Sequence, residues 1–230
     1  MRIQQTLQVY STPIQPVLTF KTPEIYSHNL RLPQIDLEVV DVRSSETPHH
    51  VVRGKFKNLI AEKYNNHKII FTDGSKSKRG VGSAAVMDAN KKTMSLPLVS
   101  TVFTAEVMAL RLAAKLLKEN LVGDKYLVCS DSLSVLQEME NVMTKDHLVH
   151  RVQIEFHDII ASGVDVTFAW VPSHVGVEGN EKADIAAKRA SRRAPEFVPI
   201  PYRNWFPEIK NRTHELCLDS TMERGKPRFL

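Results

Sequence analysis

From Lys68 to about Ser191 the apolar residues fall into short strand-like runs that alternate with longer helical stretches. HKIIFTDGS reads as an apolar strand entering a turn. Gly80 and Gly82 frame the next turn, and VGSAAVM and KKTMSLPL then complete a three-stranded antiparallel meander. FTAEVMALRLAAKLLKEN is rich in Ala and Leu and predicts a long helix, with Thr101 or Thr104 as its cap and an end near Gly123. KYLVCS predicts a fourth strand, and DSLSVLQEMENV a helix capped by Ser130 or Asp131. Leu148, Val149, Val152, Phe156, Ile159 and Ile160 share one face of a helix from Asp146 to Ser162, with Gly163 at its C′ position. Val164, Val166, Phe168 and Trp170 alternate along a fifth strand, and the loop VPSHVGVEGN leads to a last helix, EKADIAAKRAS. This order predicts an α/β fold: a mixed five-stranded sheet, three antiparallel strands followed by two parallel ones, with helices on both faces.

The regularity fades on either side. Residues 1–66 carry five of the twelve prolines and read as a partly ordered, proline-rich linker. Within it, Phe56, Leu59, Ile60 and Tyr64 lie near one face of a short helix expected over Val52–Tyr64. Residues 67–192 form the predicted domain. Residues 193–230 form a basic tail, helical if anywhere between Tyr202 and Cys217.

Composition narrows the setting. The chain is 42% apolar and 25% charged, as in ordinary globular proteins, and has no apolar run long enough for a transmembrane helix. Its first residues lack the basic start and compact apolar stretch of a signal peptide. Cys129 and Cys217 are too few for a disulfide framework and lack metal-ligand spacing. These features predict an intracellular protein of the cytoplasm or nucleus, with no membrane association and no disulfide-linked partner. The net charge of +5 divides into +2 over residues 1–67, −2 over 68–187 and +5 over 188–230, so the basic excess at the end suits a polyanionic partner.

Four acids stand near the ends of predicted elements. Asp73 closes the first strand, Glu106 lies in the first turns of the long helix, Asp131 closes the fourth strand, and Asp184 lies in the last helix. Separately, each has an ordinary reading: Asp73 before Gly74 as a turn, Asp131 before Ser132 as a cap, and Glu106 and Asp184 as solvated helix positions. Their joint occurrence in this element order points to a shared site beyond the strand ends. Two carboxylates about 5 Å apart repel by roughly 3 kcal/mol at an effective dielectric of about 20, so four together call for protons or cations. Oxygen-only ligands favour Mg²⁺ or Mn²⁺ over zinc, and a pair of such ions suits in-line hydrolysis of a phosphodiester.

The strings FTDGSKSKRGVGSAAV, TVFTAEVMALRLA, VCSDSLSVL and VTFAWVPSHVGVEGNEKADIAAKRA closely resemble type I ribonuclease H. The version they resemble is the one in non-LTR retrotransposon polyproteins, where it accompanies a reverse transcriptase. The resemblance implies an endonuclease that cuts the RNA strand of RNA–DNA hybrids with two Mg²⁺ ions, Mn²⁺ substituting, and leaves a 5′-phosphate and a 3′-hydroxyl. It places the four acidic metal ligands on Asp73, Glu106, Asp131 and Asp184, and a flexible-loop histidine that assists proton transfer or product departure on His174. The flanks resemble polyprotein sequence around such a domain, yet no paired-aspartate polymerase motif is present, so the chain reads as a piece of such an element. The Lys/Arg-rich handle helix with Trp of bacterial members has no counterpart between Asn141 and Asp146, and the cations from Lys188 onward are its expected partial substitute.

Other residues receive quieter readings. Gly74 and Ser75 are candidates for close approach to the RNA strand, and Asn180 for orienting substrate or ligand. His147, His150 and His157 share a helix, and a solvated face outweighs a zinc site. Phe168 and Trp170 read as core and Cys129 as a buried thiol. The alternatives to an active nuclease are an inactive or weakly active nucleic-acid-binding remnant of the same fold, or another nuclease of the same superfold, against which HVGVEGNEKAD argues.

Overall fold

A computed structural model describes residues 29–40, 47–119, 125–210 and 213. Strands β1 (Gln34–Asp36), β2 (Lys68–Ser77), β3 (Gly80–Met87), β4 (Asn90–Leu96), β5 (Lys125–Ser130) and β6 (Asp165–Trp170) form one sheet in the order β1-β6-β5-β2-β3-β4. β2, β3 and β4 are the antiparallel meander; β5 joins β2 in parallel, and β6 and β1 continue in parallel. The mixed α/β architecture is the expected one, with one strand more than the five predicted. The extra strand, β1, follows Pro33 and is only three residues long, too short for alternation to reveal; it sits at a sheet edge, where a neighbouring proline is tolerated.

Helix α1 (His49–Lys63) also comes from this proline-rich segment, close to where apolar spacing predicted a helix. Its Val52, Phe56 and Leu59 are buried in the main core together with Val39. Tyr64 Oη donates to Asp36 Oδ2 at 2.8 Å, tying the end of α1 to β1. Residues 1–28 and 41–46 lie outside the described residues, as does Cys217.

The remaining helices are α2 (Val102–Glu119), α3 (Leu133–Glu140), α4 (His147–Ala161) and α5 (Glu178–Ala190). Thr101 caps α2 through its Oγ1, which accepts from Thr104 N at 3.0 Å, while the Gly123 end falls outside the described residues. Asp146 caps α4 by accepting from Leu148 N and Val149 N, and Gly163 after its end has φ +94°. Ser132, rather than Ser130 or Asp131, holds the N-cap position of α3.

Adjacent residues of β3 show the layering. Ser83 Oγ donates to Ala105 O of α2 at 2.7 Å, whereas a Cβ on Gly82 would meet Ala187 O of α5 at 2.3 Å. Since neighbouring side chains on a strand point to opposite faces, α2 and α5 cover opposite sides of the sheet. α3 and α4 pack with α2. α1 shares the α5 side, with the rings of Phe56 and Phe71 6.4 Å apart and Phe71 also against Gly179.

The C-terminal segment folds back as well. Tyr202–Trp205 is a 3-10 turn followed by helix at 206–210, and Ile200 and Trp205 are buried against Val99. Thr104 and Asn204, both buried, hydrogen-bond to each other at 2.9–3.2 Å. The rest of the expected helix toward Cys217 lies outside the described residues, apart from residue 213.

Candidate active site

Asp73 and Asp131 come together because β2 and β5 are parallel neighbours. Thr72 pairs with Ser130, so the next residue of each chain emerges at the same end of the pair. Gly74 then lets α2 approach: a Cβ there would lie 2.5 Å from Glu106 N and 2.7 Å from Ala105 C. The Gly74 N–H also hydrogen-bonds to the Glu106 carboxylate. Gly74 thus has a packing reason independent of substrate, while Ser75 is half-buried and pairs with Gly82 in the sheet.

The result is a tight acidic group. Asp73, Glu106 and Asp131 each offer an oxygen, all within 4.8 Å of one another. Asp73 is 7% exposed and Glu106 6% exposed, so neither charge is well hydrated. Asp184 reaches the group from α5, close enough to interact with Asp73 and Asp131, with its side chain 14% exposed. It also forms a second set with His174 and Glu181, again within 4.8 Å.

The electrostatic consequence is plain in the titration behaviour. Burial, followed by the charges of Asp131 and Asp184, pushes the Asp73 carboxyl up to about 7. Burial holds Glu106 well above its ordinary value, with Asp73 and Asp131 adding to the effect. Burial also raises Asp131, opposed by a hydrogen bond from Asn180 and the nearby His174.

Two oxygens of this group, Asp73 Oδ2 and Glu106 Oε2, are buried and accept no hydrogen bond, and neither does Asn180 Oδ1 beside them. Buried polar atoms are normally partnered, and the two carboxylate oxygens belong to one tight acidic group. The donor set fits a hard divalent cation such as Mg²⁺ or Mn²⁺ rather than zinc.

Several supports were not legible as such in the sequence. Trp170 is buried, yet its Nε1 also donates to Asp131 O at 3.1 Å and fixes the strand end that presents the acid. Asn180, expected at the loop exit, lies inside the first turn of α5, which begins at Glu178. Its Nδ2 donates to Asp131 Oδ2 at 3.3 Å. The helix starts early because Gly179 lets its first turn press on Phe71, where a Cβ would come within 2.1 Å of the ring. Lys188 Nζ donates to Asp184 Oδ2 at 2.7 Å, an i,i+4 pair that sequence spacing could have flagged. Glu181, read only as part of the helix start, belongs to the His174–Asp184 group.

His174 is exposed on the loop between β6 and α5, with φ +56°. Among the described residues the other histidines form no metal-ligand group: His157 Nδ1 accepts from Arg31 N at 2.9 Å, and His150 meets Gln153 at 3.3 Å. Cys129 is fully buried, which drives its thiol pKa upward. No helix among the described residues is long and apolar enough to cross a membrane.

Two Pol polyproteins of equine infectious anemia virus, from strain Wyoming and isolate 1369, are each 31% identical to the chain over 144 residues. That stretch is 61% of this chain but 12% of either polyprotein. RNase H1 from the halophilic archaeon Halobacterium salinarum NRC-1 aligns with 54% of this chain and 97% of its own, at 20% identity and a TM-score of 0.44. The RNase H family model matches residues 65–192, more than half of the sequence, and the chain belongs to that family.

Proposed function

We propose that the chain is a metal-dependent endonuclease that hydrolyses the RNA strand of RNA–DNA hybrids, leaving a 5′-phosphate and a 3′-hydroxyl. The observation that carries this reading is the convergence of Asp73, Glu106 and Asp131, joined by Asp184, with buried oxygens that no protein group satisfies. Membership of the RNase H family supports the hybrid as substrate.

Asp73, Glu106, Asp131 and Asp184 would hold two Mg²⁺ ions, or Mn²⁺ in their place. Such a pair supplies an activated water and stabilises the leaving oxygen of the phosphodiester. The protein's own part is to hold the four acids together through the pairing of β2 with β5 and the close approach of α2 at Gly74, so little reorganisation is needed when the substrate arrives. Asn180 orients Asp131 through its amide, and Trp170 fixes the backbone at the same residue. His174, exposed beside Asp184 and Glu181, would move a proton at the departing strand. Gly74 and Ser75 border the acids on β2 and would present backbone to the RNA strand, where 2′-hydroxyls distinguish it from DNA.

The chain's origin is read as a retrotransposon polyprotein that includes a reverse transcriptase. The likeness to viral Pol polyproteins supports this, although the chain spans 12% of their length. The functional unit is read as residues 67–192 together with β1, α1 and the returning segment at 198–206, because β1 and α1 pack into its main core while Ile200 and Trp205 form a second cluster against Val99.

The test is cleavage of an end-labelled RNA–DNA hybrid by the full chain at low salt. Cutting in Mg²⁺ or Mn²⁺, its loss with chelator, and an untouched DNA duplex are expected. Binding of the hybrid without cleavage in either metal would replace this reading with that of a binding remnant.

A further inference from the structure

The acid cluster repels the backbone it is proposed to cut, and the region 68–187 has net charge −2, so the grip on nucleic acid must come from elsewhere on the surface. Between α3 and α4 only Lys145 contributes a cation. A groove of about 470 Å³ lies between α5 and the edge strand β4. Lys91, Lys182, Arg189 and Arg193 line it, and Asp88 is the one acid among its described lining residues. Its floor is apolar, formed partly by Val86 and Ala190.

These cations are available to a ligand. Lys91 and Arg189 are exposed, and no ion pair engages either among the described residues. Arg193 Nη2 donates to Thr93 Oγ1 at 3.0 Å, which aims it along the groove, with Glu196 at 4.0 Å. Lys182 is shared with Glu178, an exposed i,i+4 pair that an anionic ligand can displace at little cost.

The groove is also coupled to the acids by helix geometry. Asp184 and Lys188 lie on the side of α5 that meets the acid cluster, while Ile185 and Arg189 follow each by one residue, a turn of roughly 100°. A strand crossing the acids therefore meets the groove next. From Lys182 to Arg189 the helical rise is about 10 Å, the rise of roughly three nucleotides at ~3.4 Å each.

We propose that the α5–β4 groove binds the phosphate backbone of the hybrid to one side of the cleavage point, in place of a basic handle helix. This rests on the ribonuclease reading for the identity of the nucleic acid. The cations meet phosphates, and the apolar floor accepts the sugar faces between them.

The experiment is fluorescence anisotropy of a labelled RNA–DNA hybrid with the full chain in chelator, titrated over a range of KCl, followed by cleavage of the same hybrid in Mg²⁺. K91A/R189A should reduce the slope of log affinity against log salt by about two and weaken binding roughly tenfold or more near 0.1 M salt. K91E/R189E should weaken it further, and K118A/K125A, which removes exposed cations elsewhere, should bind as the unmodified chain does. Unchanged affinity and slope in both groove variants, no measurable hybrid binding by the unmodified chain, or preferential binding of a polyglutamate peptide would each overturn the groove. Cleavage separates the two ideas. Hybrid binding that depends on the groove but is never followed by cutting removes the nuclease reading alone. Efficient cutting with binding indifferent to the groove removes only the groove.

Discussion

Arg53 of α1 fills the space that a side chain on Gly176 would need: a Cβ there would lie 2.8 Å from Nη1 of Arg53. Gly176 has φ +79° and His174, two residues before it, φ +56°, so the loop carrying the histidine holds two left-handed residues against a helix from outside the family-matched region. Arg53→Ala should loosen this loop and lower kcat several-fold with little change in KM, because His174 acts after the hybrid is bound. Steady-state kinetics on a short hybrid decides it. A rise in KM at constant kcat would assign Arg53 to substrate binding instead.

Asp73→Asn should abolish cleavage while leaving the metal-free protein as stable as the unmodified chain or more so. The substitution removes a buried charge that faces Asp131 and Asp184. Thermal melts in chelator provide the check, and a melting temperature several degrees below the unmodified chain would contradict clustered repulsion.

The metal-free protein should lose stability as pH rises from about 4 to about 7. Asp73 titrates at about 7 in the folded chain, against 3.8 as its ordinary value. Across that window the folded state holds a proton that the unfolded state has released, so the gain in stability is complete below the ordinary value and is lost as pH climbs through the folded one. Glu106 is shifted in the same direction. The effect is on the order of a few kcal/mol, and Asp73→Asn should flatten part of it. Denaturant midpoints at pH 5 and pH 8 measure it, and added Mg²⁺ should narrow the difference.

A fragment limited to residues 67–192 should be markedly less stable than residues 29–210. Phe71, Cys129 and Ala169 are register partners on the sheet face that α1 shares with α5, and Val52, Phe56 and Leu59 are between 2% and 4% exposed against that core. Burying three such side chains contributes about 5–8 kcal/mol as an upper estimate, comparable with the total stability of a domain. Equal melting temperatures for the two fragments would show the flank to be dispensable.

The sequence already carried most of this architecture. The two-residue alternation of Val164 to Trp170 and the helical face from Leu148 to Ile160 became β6 and α4 because both patterns extend over several turns or pleats. The positions of the four acids were legible because each stands next to a signal for the end of an element. What escaped was tertiary. β1 is too short to alternate and is defined only by pairing with β6. Asn180 entered the helix because contact between Gly179 and Phe71 decided where α5 begins. The bond from Trp170 to Asp131 joins residues 39 apart, and local pattern carries no information about such a pairing.

Gly80 and Gly82 allow α5 to lie almost on the backbone of β3, where a Cβ at either position would come within 1.8 Å and 2.3 Å of carbonyl oxygens of that helix end. So close a fit works as a rotational stop. With Ala187, Ala190 and Ser191 seated there, deleting one residue between Asp184 and Ala187 would swing the carboxylate about 100° around the axis, to the exposed place of Ile185, without unseating the helix end. The bearing of Asp184 is thus set by two missing side chains on a strand that contributes no acid to the cluster.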